Sequence, residues 1–357
     1  MKNIIFVIEN LTYGGAERVT TILANYFSSK SDYNVKVIMF SNEINYDVSD
    51  KIEIKIINAP GNNKILNNIL HAQKVKQEIV KLDNIQTVVS LSCPATNFYL
   101  ALSLARAHKK TKLILSERNA PMFYPNSKIG RLFRNISYHF ADCVVFQTTG
   151  AKNYFSQSIV KKGTVISNPI REDLPEAFCG EPKRNIVNFC RLHPQKNLSL
   201  LIEGFAIFVE NHPDFTLSIY GDGPQKNDLK RKIAELKIDN KVNIYDFTND
   251  IHSIIVDSYM FVSTSNYEGI SNSMIEAMAI GIPVICTDCP AGGAADMIKS
   301  GKNGILIEVN NLSQLVSAMN QLADDKELRR EISKESVKIR KKLAVQEICK
   351  EWENLMA

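Results

Sequence analysis

Two glutamates, one helix start and two cations are the groups in this 357-residue chain whose types and spacing suit a single task, the holding of a phosphorylated ligand. Glu268 sits in a polar Asn-Tyr-Glu-Gly turn after the apolar run Tyr259 to Val262, and Glu276 follows eight positions later. Ser271 or Asn272 reads as the N-cap of a helix whose apolar face is Met274, Ile275, Met278 and Ala279, with Gly281 and Pro283 ending it. Strand, loop and helix N-terminus therefore follow one another. Gly269, Ile270, Ser271 and Asn272 offer backbone N–H groups at that end, where the helix dipole adds about half a positive charge, so an anion such as a diphosphate docks there. Glu268 then points toward whatever is joined to the phosphate, and Glu276 accepts hydrogen bonds from ribose hydroxyls. Two isolated glutamates with no such setting are an ordinary solvated pair.

Arg191 and Lys196 lie five apart on Cys190-Arg-Leu-His-Pro-Gln-Lys-Asn, a loop between the strand Asn185 to Phe189 and a helix from about Leu198. Facing Ser271, they clamp a diphosphate, arginine with a fork of donors and lysine with a mobile point charge. His193 in the same loop is incidental. Gly14 and Gly15 follow the first strand, Asn3 to Ile8, and let backbone approach a phosphate or substrate closely. The full Gly-x-Gly-x-x-Gly fingerprint is missing, which disfavours a nicotinamide dinucleotide. Arg118, in Ser116-Glu-Arg-Asn-Ala-Pro at a strand end, either holds an acceptor phosphate or sugar or is an ordinary surface cation. It stays charged at neutral pH and is no general base.

The elements that must position these groups alternate between strands and helices. Val35 to Phe40, Ile52 to Ile57, Thr87 to Leu91, Lys112 to Ser116 and Cys143 to Phe146 read as strands in the first half, with helices at Lys64 to Leu82 and Thr96 to Ala107. Pro125 to Tyr138 carries Lys128, Arg131 and Arg134 among apolar residues, which suits either a basic helix against anionic lipid or a solvated helix on its own sheet. Leu217 to Tyr220, Val242 to Phe247 and Pro283 to Thr287 are strands of the second half, and helices cover Asn310 to Ala323 and Leu343 to Leu355. The alternation predicts doubly wound α/β domains with ligands at the carboxyl ends of the strands. The expected division is residues 1–168, 169–340 and a last helix over 341–357 that crosses back, with the boundary at Asn168-Pro169.

Charge changes sign there. Residues 1–170 carry 21 Lys+Arg against 11 Asp+Glu, a balance of +10, and the remainder 22 against 27, a balance of −5. The basic half suits anionic lipid or a phosphorylated substrate, and no aromatic-basic platform accompanies it, so nucleic acid is not expected. No apolar run approaches the roughly 20 residues of a membrane span, and Met1 to Ile8 is too short for a signal peptide, which predicts a cytoplasmic chain. Seven scattered cysteines argue for reduced thiols, and the lone Cys286-x-x-Cys289 lacks the second pair or histidines that zinc requires, so no metal is expected.

The string Glu268-Gly, six residues, Glu276-Ala-Met-Ala, Gly281, Pro283-Val-Ile resembles the donor-sugar motif of the family 4 retaining glycosyltransferases of GT-B architecture. Gly14-Gly-Ala-Glu-Arg is similar to that family's first loop, and Arg191-Leu to Lys196-Asn to its Gly-Arg-Leu-x-x-x-Lys-Asn, with Cys190 replacing the glycine. Arg118 stands where relatives carry a histidine, and Thr248 where a glycine lies against the nucleobase. Ala291-Gly-Gly-Ala resembles the glycine-rich turn near the phosphates. The resemblance implies two Rossmann-like domains facing across a cleft, the second holding a nucleotide sugar and the first an acceptor. It implies transfer with retention and without metal or cofactor: Arg191, Lys196 and the helix start stabilise the leaving diphosphate, which takes the acceptor's proton, while Glu268 orients sugar hydroxyls. The expected donor is a UDP-linked hexose or N-acetylhexosamine. The expected acceptor is a lipid-linked, undecaprenyl diphosphate type saccharide in bacterial glycan assembly, reached at the inner face of the plasma membrane through the basic first half. A sugar-nucleotide epimerase of the same architecture, or a non-catalytic nucleotide-sugar-binding module, is the alternative.

Overall fold

The computed structural model describes residues 2–12, 14–58, 63–81, 85–105 and 111–356. Tyr13, Leu82, Arg106 and Ala107, which the sequence assigns to a loop and to two helices, lie outside them. The chain divides into two compact units, Met1–Pro169 with Val345–Ala357, and Ile170–Ala344.

In the first unit, β1 (Lys2–Ile8), β2 (Tyr33–Met39), β3 (Glu53–Ile56), β4 (Ile85–Ser90), β5 (Lys112–Glu117), β6 (Cys143–Phe146) and β7 (Gly163–Val165) form one sheet. Its order is β3-β2-β1-β4-β5-β6-β7, and every neighbouring pair is parallel. Parallel strands covered on both faces need no polar side, which explains the unbroken apolar run in β1, where Ile4 to Ile8 are all buried. The order reverses between β1 and β4. There Glu9 Oε1 accepts from Cys93 N and from Thr96 Oγ1, both at 3.0 Å, and so ties the loops that follow the two strands.

The helix Val345–Met356 completes this unit. Trp352 is fully buried, Lys30 Nζ meets Glu353 Oε2 at 2.6 Å, and Tyr33 donates to the other carboxylate oxygen at 3.0 Å.

The helix Lys128–Phe140, capped by Ser127, corrects an expectation. Arg134 does not lie on an exposed basic face. It is fully buried, 3.6 Å from Glu117, and its Nη1 donates to the carbonyls of Pro121 and Tyr124 at 2.8 and 2.6 Å. Arg131 bends back to donate to Pro125 O at 2.8 Å. A regular i, i+3, i+6 spacing made these cations look like one solvated ridge, whereas burial of Glu117 at the end of β5 draws the third inward. Besides Lys128 and His139, what the helix exposes is apolar: Ile129 is 66% and Leu132 56% exposed, and Phe123 and Tyr124 of the preceding loop are exposed as well.

The second unit repeats the plan with β8 (Lys183–Phe189), β9 (Thr216–Tyr220), β10 (Val242–Tyr245), β11 (Ser258–Ser263), β12 (Val284–Thr287) and β13 (Ile305–Ile307). The order is β10-β9-β8-β11-β12-β13, again parallel throughout. Phe205, Phe208, Phe215, Met260 and Leu315 fill the core under it. This sheet reverses between β8 and β11, so the loops after those two neighbouring strands lie at the same, carboxyl end of the sheet, where open α/β sheets bind their ligands. No helix among the described residues is long and apolar enough to cross a membrane.

Candidate functional site

The loop after β8 carries Arg191 and Lys196, and the loop after β11 carries Glu268 to Ser271, so the reversal of strand order brings these two stretches side by side. Glycines let them approach. A Cβ at Gly293 would lie 1.7 Å from the carbonyl oxygen of Gly269, which means the turn Ala291 to Ala294 is packed backbone to backbone against the Glu268-Gly-Ile loop. Gly221 does the same for the other side: its φ is +147, and a Cβ there would lie 1.9 Å from Cys190 O. Cys190 itself has no positive φ, so its replacement of a glycine costs no backbone strain.

Hydrogen bonds then fasten the loops to each other. Asn266 N donates to Gln195 O at 2.8 Å, and Thr264 Oγ1 donates to the carbonyls of Asn197 and Lys196 at 2.9 and 3.2 Å. Thr287 at the end of β12 donates to Ser265 O at 2.6 Å. Ser273 in the helix Asn272–Ala279 donates to Phe189 O at 2.6 Å, fixing the helix start to the end of β8. Ser271 is the N-cap, accepting from Met274 N at 3.4 Å.

Within this frame Lys196 Nζ donates to Glu268 Oε1, and both side chains are about 15% exposed. Burial pulls the Lys196 ammonium down, but the charge of Glu268, with Cys190 and the hydrogen bond, outweighs it and holds the group above its ordinary value. Glu268 also accepts from Ser265 Oγ at 3.0 Å and from Gln195 Nε2 at 3.3 Å, and Gln195 holds Tyr267 O at 2.8 Å. Gln195 and Ser265 were not singled out from sequence, because neither residue type signals a role until its neighbour is known. Arg191 extends into solvent. The thiols nearby are inert: burial pushes Cys190 up to about 11 and Cys289 up to about 12.

Glu276 is only 5% exposed, and its Oε2 lies 2.9 Å from Nε2 of His252, a second residue that sequence reasoning missed. His252 stands alone in the five-residue helix Ile251–Ile255, with no spacing to mark it.

Gly14, Gly15 and Arg118 belong to the first unit. Gly14 caps the helix Gly15–Ser28 with extended backbone at φ −161, and a Cβ there would meet the Glu17 carboxylate at 2.1 Å. Arg118 is not an ordinary surface cation. Its guanidinium is enclosed, donates to Asn168 Oδ1 at 2.8 Å and lies 5.7 Å from the ring of Trp352, while Nε and Nη2 have no hydrogen-bond partner among the described residues. Burial pulls it down to about 9, so it remains charged at neutral pH.

Residues 171–338 match the family model described as Glycosyl transferases group 1. Over 360 residues and the full length of both chains, the sequence is 26% identical to an uncharacterized glycosyltransferase of Haemophilus influenzae. It is 28% identical over 346 residues, 92% of each chain, to the N-acetylgalactosamine-N,N'-diacetylbacillosaminyl-diphospho-undecaprenol 4-alpha-N-acetylgalactosaminyltransferase of Campylobacter jejuni. Among solved structures, Anabaena HepE in complex with UDP superposes with a TM-score of 0.83 at 19% identity, over 100% of this chain and 99% of that one, which shows a shared fold. Two parallel-sheet units with loops joined at the reversal of strand order, a match to the glycosyl transferases group 1 model over residues 171–338 and relatives aligned from end to end agree: the chain is a glycosyltransferase of GT-B fold.

Proposed function

We propose that the chain transfers a hexose or N-acetylhexosamine from a UDP-sugar to a lipid-linked saccharide, with retention at the anomeric carbon and without a metal. The observation that carries this reading is the Lys196–Glu268 pair, held between the loops after β8 and β11, with Arg191 exposed on the first of those loops and the start of the helix Asn272–Ala279 fastened to the end of β8. The donor's diphosphate accepts from the backbone N–H groups of Gly269, Ile270, Ser271 and Asn272 and from Arg191. Lys196 then exchanges one anion for another, leaving Glu268 for the phosphate. Glu268, still held by Ser265 and Gln195, turns its released oxygen to the hydroxyls of the sugar. As the sugar–phosphate bond breaks, these cations and N–H groups stabilise the charge that develops on the diphosphate. A phosphate oxygen on the same face takes the proton of the incoming acceptor hydroxyl. Glu276 receives the ribose hydroxyls, so the second unit is the donor side and the first, with Gly14, Gly15 and Arg118, the acceptor side.

Uracil is supported by the UDP in the Anabaena structure, and the lipid-linked acceptor by the diphospho-undecaprenol substrate of the Campylobacter relative. A lipid-linked acceptor places the first unit at a membrane, on the cytoplasmic face where nucleotide sugars are available. The contact surface is the apolar edge Phe123, Tyr124, Ile129 and Leu132 with the exposed Lys128 beside it, which suits insertion among anionic headgroups better than the basic ridge expected from sequence.

The test is incubation with each UDP-hexose and UDP-N-acetylhexosamine, with and without an undecaprenyl diphosphate-linked saccharide, followed by mass analysis. One added sugar on the lipid is the expected result. A changed sugar nucleotide in the absence of acceptor points to an epimerase instead, and intact donor under all conditions to a binding module.

A further inference from the structure

Glu276 is held by a chain of groups to which no role has been given. His252 is 5% exposed, its Nε2 is 2.9 Å from Glu276 Oε2, and its ring stands edge-on to Phe189 at 5.7 Å between centroids. On its far side, Nδ1 is 3.4 Å from Nη1 of Arg171. Arg171 is in turn paired through Nε and Nη2 with both carboxylate oxygens of Asp173, the first at 2.5 Å.

These contacts fix the imidazole's tautomer. A guanidinium only donates, so Nδ1 facing Arg171 must accept, and the ring proton sits on Nε2, where it donates to Glu276. Asp173 holds the guanidinium in place and balances its charge. A buried glutamate has three side-chain torsions to fix, and an unpaired carboxylate out of water is costly. The Nε2–H of His252 meets that cost at Oε2 and sets the plane of the carboxylate.

We propose that His252, set by Arg171 and Asp173, is the positioning residue that aims Glu276 at the donor's ribose hydroxyls; this rests on the reading of Glu276 as the ribose acceptor. His252 touches neither sugar nor phosphate. It acts through Glu276 alone, so its effect appears in discrimination between ribose and a sugar lacking the 2' and 3' hydroxyls.

The experiment is calorimetric binding of UDP and 2',3'-dideoxy-UDP to the wild-type chain, His252→Phe, which keeps an aromatic ring but no donor, and His252→Gln, which keeps an N–H. The wild type is expected to prefer UDP by about tenfold or more, as for hydrogen bonds to a charged group. Phe at this position should collapse the preference to about twofold or less, Gln should restore most of it, and in a Glu276→Gln background His252→Phe should change nothing further. If His252→Phe weakens both nucleotides equally, or leaves the preference intact, the residue only packs and the proposal is overturned. Equal binding of the two nucleotides by the wild type overturns the ribose role of Glu276 and the proposal with it. Should UDP not bind while GDP or ADP does, the uracil assignment has failed, and the same ratio measured with that nucleotide and its dideoxy form still decides the role of His252.

Discussion

Lys196 and Glu268 neutralise each other, so neither the buried cation nor the buried anion stands uncompensated. Lys196→Ala therefore does two things. It removes a donor to the leaving group, for which a loss of about a hundredfold in kcat is expected, and it strands the Glu268 carboxylate, lowering stability. Glu268→Gln keeps the size but loses the charge that held Lys196 and turns one of the two accepting oxygens into a donor, so steady-state kinetics should show a lower kcat with KM for the donor little changed. An increase in donor KM alone would assign Glu268 to ground-state binding. A further buried acid lies in the first unit. Burial pushes Glu117 up to about 7, with Arg134 and the Tyr138 hydroxyl, 3.1 Å away, pulling against it. The folded chain then binds more protons than the unfolded one between about pH 4.5 and 7, so stability falls as pH rises through that window, by about 3 kcal/mol for a shift of this size. Thermal melts at pH 5 and pH 8 should show a larger drop for the wild type than for Glu117→Gln. Equal drops would place the carboxyl's titration at its ordinary value.

At the scale of elements, two loops depend on backbone contact rather than on side chains. Gly293→Ala puts a methyl into the Gly269 carbonyl, so the Glu268 loop must move; binding of UDP should fall at least tenfold while the melting temperature shifts by only a few degrees. Unchanged UDP affinity in a folded Gly293→Ala chain would show that the loop's position is not needed. On the first unit, Ile129→Asp with Leu132→Asp should abolish co-sedimentation with anionic vesicles, and Lys128→Glu should only weaken it. The reverse ranking would restore the basic reading of this helix. How far these elements were legible depended on pattern length. Apolar runs such as Phe6 to Ile8 and Cys143 to Phe146 mark buried parallel strands, and the Ser271 cap and Gly281 stop delimit a helix that the structure begins at Asn272 and ends at Ala279. Gly163–Val165 and Ile305–Ile307 were invisible, because a three-residue edge strand has no periodicity to detect. Arg134 was misplaced for a different reason. Helical spacing gives the face a residue occupies on its helix, but not which buried carboxylate that face meets.

Across the whole molecule, the same division holds between what is local and what is tertiary. The alternation of strands and helices carries the α/β class, and the GT-B fold is shared with Anabaena HepE despite 19% identity. The residues proposed for the donor site are contiguous enough to be recognised as strings, Arg191 to Lys196 and Glu268 to Glu276. Their settings were not. Gln195 becomes visible only when β8 and β11 lie side by side, and His252 only when its short helix packs against Glu276, 24 residues further on. The central claim, that the second unit holds a nucleotide sugar through these groups, is tested most directly by thermal denaturation of the purified chain with UDP and UDP-sugars, as a ligand bound only by the native state raises the melting temperature. Stabilisation by UDP and one UDP-sugar, lost in Arg191→Ala and in Glu276→Ala, is the predicted result. Stabilisation that survives both substitutions would contradict the account.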